Sequence, residues 1–264
     1  MKKNRTIKAR IVGALLGLVI LQLCVFAVAI MAKGTFDTLN REAVRSFTDK
    51  VDNRGRYISE LMVGRWSNIN VFSNEIIRNF DKYILESQHV SSEIKGNAEI
   101  NEALSELAFP TIMTMLRKTG TTGAYIVLNN NGIFDNPDSC GGVYIRDFDP
   151  DSASELNYDV LLTVGTPSLS EKMGISLDSY WQPFYIFDEE SRTTSNFFYS
   201  PLKRAEELRR ITTNEKFEYW CSDFKLTGND YIDSISYSMP LINKDGVIYG
   251  VLGIEVSKSY LKKQ

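Results

Sequence analysis

The apolar and polar positions divide the chain into stretches of different period. The first has no period at all. "IVGALLGLVILQLCVFAVAIMA", Ile11 to Ala32, carries no charge and one polar amide, Gln22. At roughly 1.5 Å per residue it reaches about 33 Å, enough for a bilayer core of roughly 30 Å. The second stretch has the helical period. Phe36, Leu39, Ala43, Phe47, Val51, Ile58, Leu61, Ile69, Phe72, Ile76, Phe80 and Tyr83 recur without an intervening proline, following the i, i+3, i+4, i+7 rule. Gly55 and Gly64 weaken the pattern locally. It predicts one long amphipathic helix, an arm able to pair with a second copy of the chain. The polar segment "ESQHVSSEIKGNAEI" ends it. A second helical run then places Ile100, Leu104, Leu107, Ile112 and Leu116 on one face, with Pro110 inside it. A kink or restart is expected there.

Past residue 120 the period becomes that of strands. "TGAYIVLNNNG" and "GGVYIRDFDPDS" are short strands entering turns. "SELNYDVLLTVGTPSLSEKMGISLD" reads as mostly helical or looped, with Pro167 interrupting. "YWQPFYIFD" and "SNFFYS" read as aromatic, strand-like pieces. "PLKRAEELRR" has proline at a helix start and charges around it, which predicts a short exposed helix. "FEYWCSDFKL", "YIDSISYSMPLI" and "VIYGVLGIEV" complete a strand-rich half. In the last of these, Ile248, Leu252, Ile254 and Val256 form one apolar face, and Val247, Tyr249 and Val251 the other. Apolar residues on both faces mark a central strand. Gly250 and Gly253 leave room for a close neighbour. The fold class is therefore α+β, a long helix lying along an antiparallel sheet.

Charge sharpens this reading. Residues 1–10 hold five cations (Lys2, Lys3, Arg5, Lys8, Arg10) and no acid, whereas residues 33–264 hold 25 cations and 33 acids, a net of −8. Basic residues before the apolar stretch predict a cytoplasmic N-terminus and an exported remainder. A cleaved signal peptide, cut after "AVA" (Ala27–Ala29), is the competing reading. Signal peptides have shorter apolar stretches, of about 7–15 residues. The acidic balance of the exported part excludes a nucleic-acid surface. Cys140 and Cys221 would then lie where a bridge is permitted; two separate thiols are the plainer alternative.

Enzyme chemistry finds little footing. The one histidine, His89, falls in the polar segment, and no G-x-S-x-G elbow occurs. There is no Cys/His set for zinc, no phosphate-binding glycine loop and no dinucleotide fingerprint. Asp147, Asp149 and Asp151 alternate as calcium ligands do, but Ser152 and Tyr158 stand where a calcium loop of the helix-loop-helix kind needs Gly and Glu. An acidic turn closed by Pro150 explains them as well. No catalytic residue, metal or cofactor is expected. Aromatics are the richer signal: Tyr180, Trp181, Phe184, Tyr185, Phe187, Phe197, Phe198, Tyr199, Tyr219 and Trp220 crowd together. Most must be core, but Tyr and Trp with a few convergent polar groups also line small-molecule pockets. Arg146, Asp147, Asp178, Asp223 and Asp230 lie near the same strands, and an Asp and an Arg on opposite sides would hold a zwitterion.

The order of pieces resembles the extracytoplasmic Cache sensor domains of bacterial signalling proteins. The resemblance rests on the anchor, the long helix, "TGAYIVL", "GVYIRDFDP", "GISLDSYWQPFY" and "ISYSMPLINKDGVIYGVLGIEVSKSYL". The stretch "VYIRDFDPDS…GISLDSYW" looks most like sensors attached to diguanylate cyclases and histidine kinases, with chemoreceptors more distant. The resemblance implies a PAS-like lobe with a central antiparallel sheet of about five strands. The long helix would lie on one side and a ligand pocket on the other, and ligand binding would shift the helices at the membrane. Amino-acid-binding members carry Arg-x-Trp-Tyr where this chain has "SYWQ". Trp181 matches, but Ser179 replaces the arginine and Gln182 the tyrosine. Their Pro-Tyr-x-Asp element is also replaced by "CSDFKLTG", so amino-acid specificity does not carry over.

The expectation is thus a cytoplasmic tail (1–10), a transmembrane helix (11–32), a helical stalk with the second helix (33–119) and a sensor lobe (120–262). In two-lobed sensors of this kind a second lobe follows such a hairpin, so the chain reads as anchor, stalk and first lobe. Its expected partners are a small molecule, the membrane and a second copy through the long helix, and not nucleic acid. Candidate ligand residues are Trp181, from the resemblance, and Tyr185, Trp220, Arg146, Tyr199 and Asp223, from their chemistry. The alternative is an anchored structural or protein-interaction module without a small-molecule ligand.

Overall fold

A computed structural model describes residues 7–32, 34–89, 95–130, 138–152, 158–187, 196–208, 219–224 and 232–263. The chain divides into two units, Met1–Ser59 and Glu60–Gln264. In the first, α1 (Ile7–Ala32) contains the apolar stretch. Ile7–Met31 is long and apolar enough to cross a membrane, and none of its apolar window is buried among the described residues. Its partner in this unit, α2 (Thr35–Glu60), leaves Phe36, Leu39, Phe47 and Val51 of its apolar stripe exposed.

The helix predicted to run from Phe36 to Ile84 is broken. A π-helical stretch, Leu61–Trp66, begins the second unit, and α3 (Asn70–Glu86) starts four residues further on. The break lies beside Gly64. Ser67 N donates back five residues to Met62 O at 2.9 Å, and its hydroxyl donates to Val63 O at 2.6 Å. Such wide turns admit a residue that a regular helix would misplace. Here they let Trp66 and Ile69 enter the core, both buried.

Next, α4 (Ala98–Thr119) is set at both ends by its sequence. Asn97 Oδ1 accepts from the N–H groups of Glu99 and Ile100 at 3.0 and 3.1 Å, and Gly120 closes it at φ 56°. It runs through Pro110 without the restart expected from sequence. Pro110 is exposed, so solvent can take up the carbonyl left without its partner.

The remaining elements are β1 (Gly123–Leu128), β2 (Ser139–Cys140), β3 (Gly142–Asp147), β4 (Val160–Val164), α5 (Pro167–Met173), β5 (Ser176–Gln182), β6 (Tyr185–Ile186), α6 (Asn196–Leu208), β7 (Tyr219–Phe224), β8 (Ser234–Ile242), β9 (Ile248–Ser257) and α7 (Lys258–Lys263). Seven strands form the main sheet in the order β5-β4-β3-β1-β9-β8-β7, while β2 and β6 pair separately. The α+β class holds, but the sheet is larger than the expected five strands. It is also mixed, because β4 and β5 are parallel.

Three local expectations are corrected. Val160–Val164 is a strand within a segment read as helix or loop, and Pro167 begins α5 at its first turn rather than interrupting a helix. Of "SNFFYS", Asn196 to Ser200 are helical, not a strand, and Ser195 lies outside the described residues. Consequently Pro201 lies inside α6 instead of starting a helix, and Leu202 and Ala205 are buried, so this helix is not an exposed one.

Each face of the sheet has its own core. On one, Ile126, Ile145, Leu162, Leu252 and Ile254 pack against Phe72, Ile76 and Phe80 of α3 and Leu104, Ile112 and Leu116 of α4. On the other, Tyr125, Val127, Tyr144, Val164 and Val251 pack against Phe197, Phe198 and Leu202 of α6, with Phe187 and Phe224. The closing strand is central as predicted, paired to β1 and β8 and buried from Tyr249 to Ser257. Its alternation slips at Gly250. Tyr249 joins the helix-side core with Leu252, while Ile248 joins the aromatic side. A Cβ at Gly250 would collide with the Val127 carbonyl, so glycine permits the close approach that carries the slip.

Candidate functional site

The site is built where three neighbouring strands place their ends side by side. Gly123 on β1 stands opposite Arg146 on β3 and, on its other flank, opposite Glu255 on β9. Gly123 has no side chain, so the two charged residues meet across it. Arg146 Nε is 3.2 Å from Glu255 Oε2. A Cβ on Gly123 would lie 2.6 Å from that oxygen and 3.1 Å from the Tyr144 ring. Arg146 and Glu255 are 3% and 1% exposed, a depth at which a lone charge is costly and a hydrogen-bonded pair is tolerated.

Other strands complete the cluster. Arg146 Nε also donates to the Tyr144 hydroxyl at 2.8 Å, and its guanidinium lies 4.9 Å from the Tyr144 ring centre. The Tyr144 hydroxyl donates to Glu255 Oε2, and the Ser234 hydroxyl of β8 donates to Oε1. Thr122 Oγ1 donates to the main-chain oxygen of Glu255 at 3.2 Å and accepts from Ser257 N at 2.7 Å. Next to it on β1, the buried Tyr125 hydroxyl donates to Ser236 Oγ at 3.2 Å. Burial pushes the Glu255 carboxyl up to about 8 and raises the Tyr125 phenol well above its ordinary value.

A second ion cluster adjoins the first. Arg117, near the end of α4, donates to Asp147 Oδ2 at 2.5 Å and grips both oxygens of Asp159 at 3.1 and 2.8 Å. Asp147 Oδ1 also accepts from Asp149 N at 2.9 Å. Desolvation raises the Asp147 carboxyl, opposed by Asp149 N–H and the Arg117 charge. Asp147 is thus occupied by a guanidinium. Among the described residues no three of His, Cys, Asp and Glu gather as a metal site requires.

Between these clusters and α7 lies a cavity of about 290 Å³. Arg146, Asp147, Glu255 and Ser257 come to it from β3 and β9, and Thr122, Phe148 and Ile232 from their flanks. Ser259, Tyr260 and Lys263 line it from α7 and are exposed or half-buried.

Of the candidate residues whose side chains are described, Arg146 alone lines this cavity. Tyr185 is buried in the aromatic core, donates to Val143 O at 2.9 Å and stacks on Phe187 at 5.9 Å. Tyr199 meets Phe187 in the same core at 5.8 Å. Trp181 and Trp220 pack against the helix-side core; Trp181 Nε1 donates to Gly165 O at 2.9 Å, and Trp220 lies 4.9 Å from Tyr237. Asp223 belongs to β7, but its side chain lies outside the described residues, as does Asp230. Asp178 accepts from Thr163 at 3.0 Å. The five candidates whose side chains are described therefore do not gather in one place. Cys140 and Cys221 are buried thiols, not a bridge.

Glu255, Tyr144 and Ser234 carry the site and were not singled out from sequence. The signal was present: Glu255 is the one acid in a strand otherwise apolar on both faces.

No protein-family model matches the sequence, and no curated protein matches it. Solved structures do align with it. One is the ligand-binding domain of the Campylobacter jejuni chemoreceptor Tlp3 in complex with L-norvaline, at 16% identity and TM-score 0.43, covering 84% of this chain and 61% of that one. Another is "Methyl-accepting Chemotaxis protein X", at 12% identity and TM-score 0.36, covering 83% and 66%. The periplasmic sensory domain of the Campylobacter jejuni chemoreceptor Tlp1 aligns at 11% identity and TM-score 0.31, covering 74% and 59%. These are chemoreceptor proteins, and this chain spans about three-fifths of the first one's length. At these identities and TM-scores the likeness assigns neither a ligand nor a site.

Proposed function

We propose that this chain is a membrane-anchored sensor whose exported lobe binds a small molecule in the cavity beside Arg146 and Glu255. The observation that carries this reading is the cavity itself: about 290 Å³, with a buried ion pair in its wall. Such a concave site with a few fixed polar groups is what small-molecule recognition uses. A charge pair this deep adds little to stability compared with apolar packing, which favours a role other than holding the fold together. The domain plan 1–10, 11–32, 33–119 and 120–262 is part of this proposal, with the N-terminus cytoplasmic. So is pairing of two copies through the exposed apolar stripe of α2. Occupancy would be relayed by favouring one packing of the paired helices over another, which needs only a modest difference in ligand affinity between them. The output served by such a sensor would be a cyclase, kinase or chemoreceptor module. The test is a thermal-shift screen of the full chain in nanodiscs against small metabolites, because a ligand of the native state raises its melting temperature. Saturable stabilisation that Arg146→Ala abolishes is the expected result. Stabilisation that survives Arg146→Ala removes this cavity from the reading.

The second reading is an anchored protein-interaction module. It is favoured by the self-contained packing of Tyr185, Phe187, Phe197 and Phe198. A screen in which no metabolite shifts the melting temperature would favour it.

A further inference from the structure

A much smaller cavity lies against the first two turns of α4. Its volume is about 20 Å³, room for a single water-sized body. From α4 it is lined by Asn101, Glu102 and Ser105. Gly141 comes to it from between β2 and β3, Thr166 from between β4 and α5, and Pro183 from between β5 and β6. Asn101 and Ser105 are each 4% exposed. Asn101 Oδ1 is buried and has no hydrogen-bond partner among the described residues. Its amide cannot be turned round to find one. Nδ2 donates to Asn97 O at 3.3 Å, and exchanging the two atoms would set oxygen against oxygen.

The neighbouring groups add acceptors and few donors. Thr114 and Thr119 of the same helix bond back to the carbonyl one turn earlier, as helical hydroxyls do. Ser105 makes no such bond, and its hydroxyl has no partner among the described residues. The hydroxyls of Thr166 and Ser168 both donate to Glu102 Oε1, at 3.4 and 2.5 Å. No Lys or Arg pairs with Glu102 among the described residues; Lys172, on α5, is held by Glu106 instead. Gly141 N–H is committed to Asn130 Oδ1 at 3.0 Å, and Pro183 has no N–H. A lone water suits such a lining poorly. It has two protons to donate and no charge, and the carboxylate would keep its charge uncompensated.

We propose that this cavity binds one monovalent metal cation of sodium's size, held by Asn101 Oδ1, the Glu102 carboxylate and the hydroxyl oxygens of Ser105 and Thr166. All are hard oxygen donors, the kind that such cations take. The single carboxylate sets the charge. Calcium sites gather several oxygen ligands with more carboxylates, and magnesium sites lean on substrate phosphates. Among the described residues no three acids gather. The hydroxyls keep their protons and present lone pairs, so binding makes and breaks no covalent bond. The cation would join α4 to the turn between β4 and α5, and its effect would be on the stability of the lobe. The proposal is independent of the sensor reading and of the cavity beside Arg146.

The experiment is thermal melting of the full chain in nanodiscs of zwitterionic lipid. Sodium, potassium, calcium and choline chlorides are compared at one ionic strength, which holds the screening of surface charges constant. Sodium should raise the melting temperature above its value in choline chloride, and the rise should saturate with concentration. Potassium, being larger, should raise it less. Ser105→Ala keeps a good helix former in place, and Glu102→Gln keeps an acceptor for Thr166 and Ser168. Each should weaken the sodium response several-fold while leaving melting in choline chloride nearly unchanged. Sodium magnetic resonance on the same samples reads binding directly: the line should broaden beyond that of empty nanodiscs, and narrow again with Ser105→Ala. Equal melting in all four salts without that broadening means a water only, and overturns the proposal. A sodium response that both substitutions leave intact places the cation elsewhere and overturns this site. Stabilisation by calcium and not by sodium overturns the monovalent class, and potassium matching sodium overturns the assigned size.

Discussion

The two faces of the sheet are made from the same strands yet solve different problems. The helix-side face is apolar from Val160 to Val256 and is covered by α3 and α4. The other face begins with aromatic packing at Tyr125 and Val127 and ends in a buried ion pair, two hydroxyls and a cavity. Packing on the first face is cumulative: each side chain removed costs its own contacts. Charge on the second is conditional: each group is tolerable only while its partner stays. Perturbations that separate additive from conditional loss are therefore the way to test the contrast.

The largest effect is expected from Arg146→Met. Removing one partner of a buried pair costs about 3–5 kcal/mol when the other remains charged. Glu255 can escape by taking a proton, so the loss should stay below that figure and be larger at pH 8.5 than at pH 5.5. The unsubstituted protein should show a weaker trend of the same sign. The folded carboxyl holds its proton up to about 8, while the unfolded chain releases it near 4.5. Stability from the bound proton is thus fully present below 4.5 and is lost as pH rises through about 8. Urea midpoints at the two pH values measure both. An Arg146→Met penalty that does not change with pH would show that Glu255 stays ionised.

On the helix-side face, Leu252→Ala should cost about 2–5 kcal/mol through lost burial and a cavity. That cost should be equal at pH 5.5 and 8.5, because the cluster around Leu252 is built of apolar and aromatic side chains. A pH-dependent Leu252→Ala penalty would mean that the two faces are coupled through the strand.

Gly123→Ala tests the junction itself. The added methyl would sit 2.6 Å from Glu255 Oε2 and 3.1 Å from the Tyr144 ring, both fixed by burial. Overpacking of this kind costs about 1–3 kcal/mol. It should also separate Arg146 from Glu255 and so reproduce part of the pH dependence of Arg146→Met. A destabilisation with no pH dependence would show that the pair re-forms around the methyl.

Periodicity revealed the membrane-length helix, the strand Gly123–Leu128 and the central position of β9, because in each the pattern is long or apolar on both faces. It did not reveal β4, five residues flanked by polar chain, where a strand and a helix turn look alike. It misread Phe197–Tyr199, whose aromatic run has strand propensity. In the fold these residues lie on α6, and packing against β7, β8 and the neighbouring rings decides the matter. The site was legible only in part. Arg146 could be chosen for its charge on a predicted strand. Its partner is 109 residues away in sequence, and the pairing depends on β1 lying between β3 and β9. Strand order is a tertiary property that no local period encodes. The π-helical stretch was equally hidden, since the apolar stripe continues across it and Gly64 alone marks the place.

The smallest effect concerns a tie on the helix-side face that resembles the ion cluster but lacks its conditional character. The Tyr249 hydroxyl and Asn243 Nδ2 both donate to Asp81 Oδ1, at 2.6 and 2.8 Å, joining α3 to the β8–β9 turn. Burial, and the acceptor beside it, raise the Tyr249 phenol well above its ordinary value, so it stays a donor throughout the working pH range. Asp81 is half-buried and keeps Asn243 when the phenol is removed. Tyr249→Phe should therefore cost only about 0.5–1.5 kcal/mol, the net worth of one hydrogen bond. Paired with Asp81→Asn in a double-mutant cycle, it should give a coupling energy that is the same at pH 5.5 and 8.5. Coupling that weakened at the higher pH would place a titrating group on the helix-side face as well, and the division between an additive face and a conditional one would then be lost.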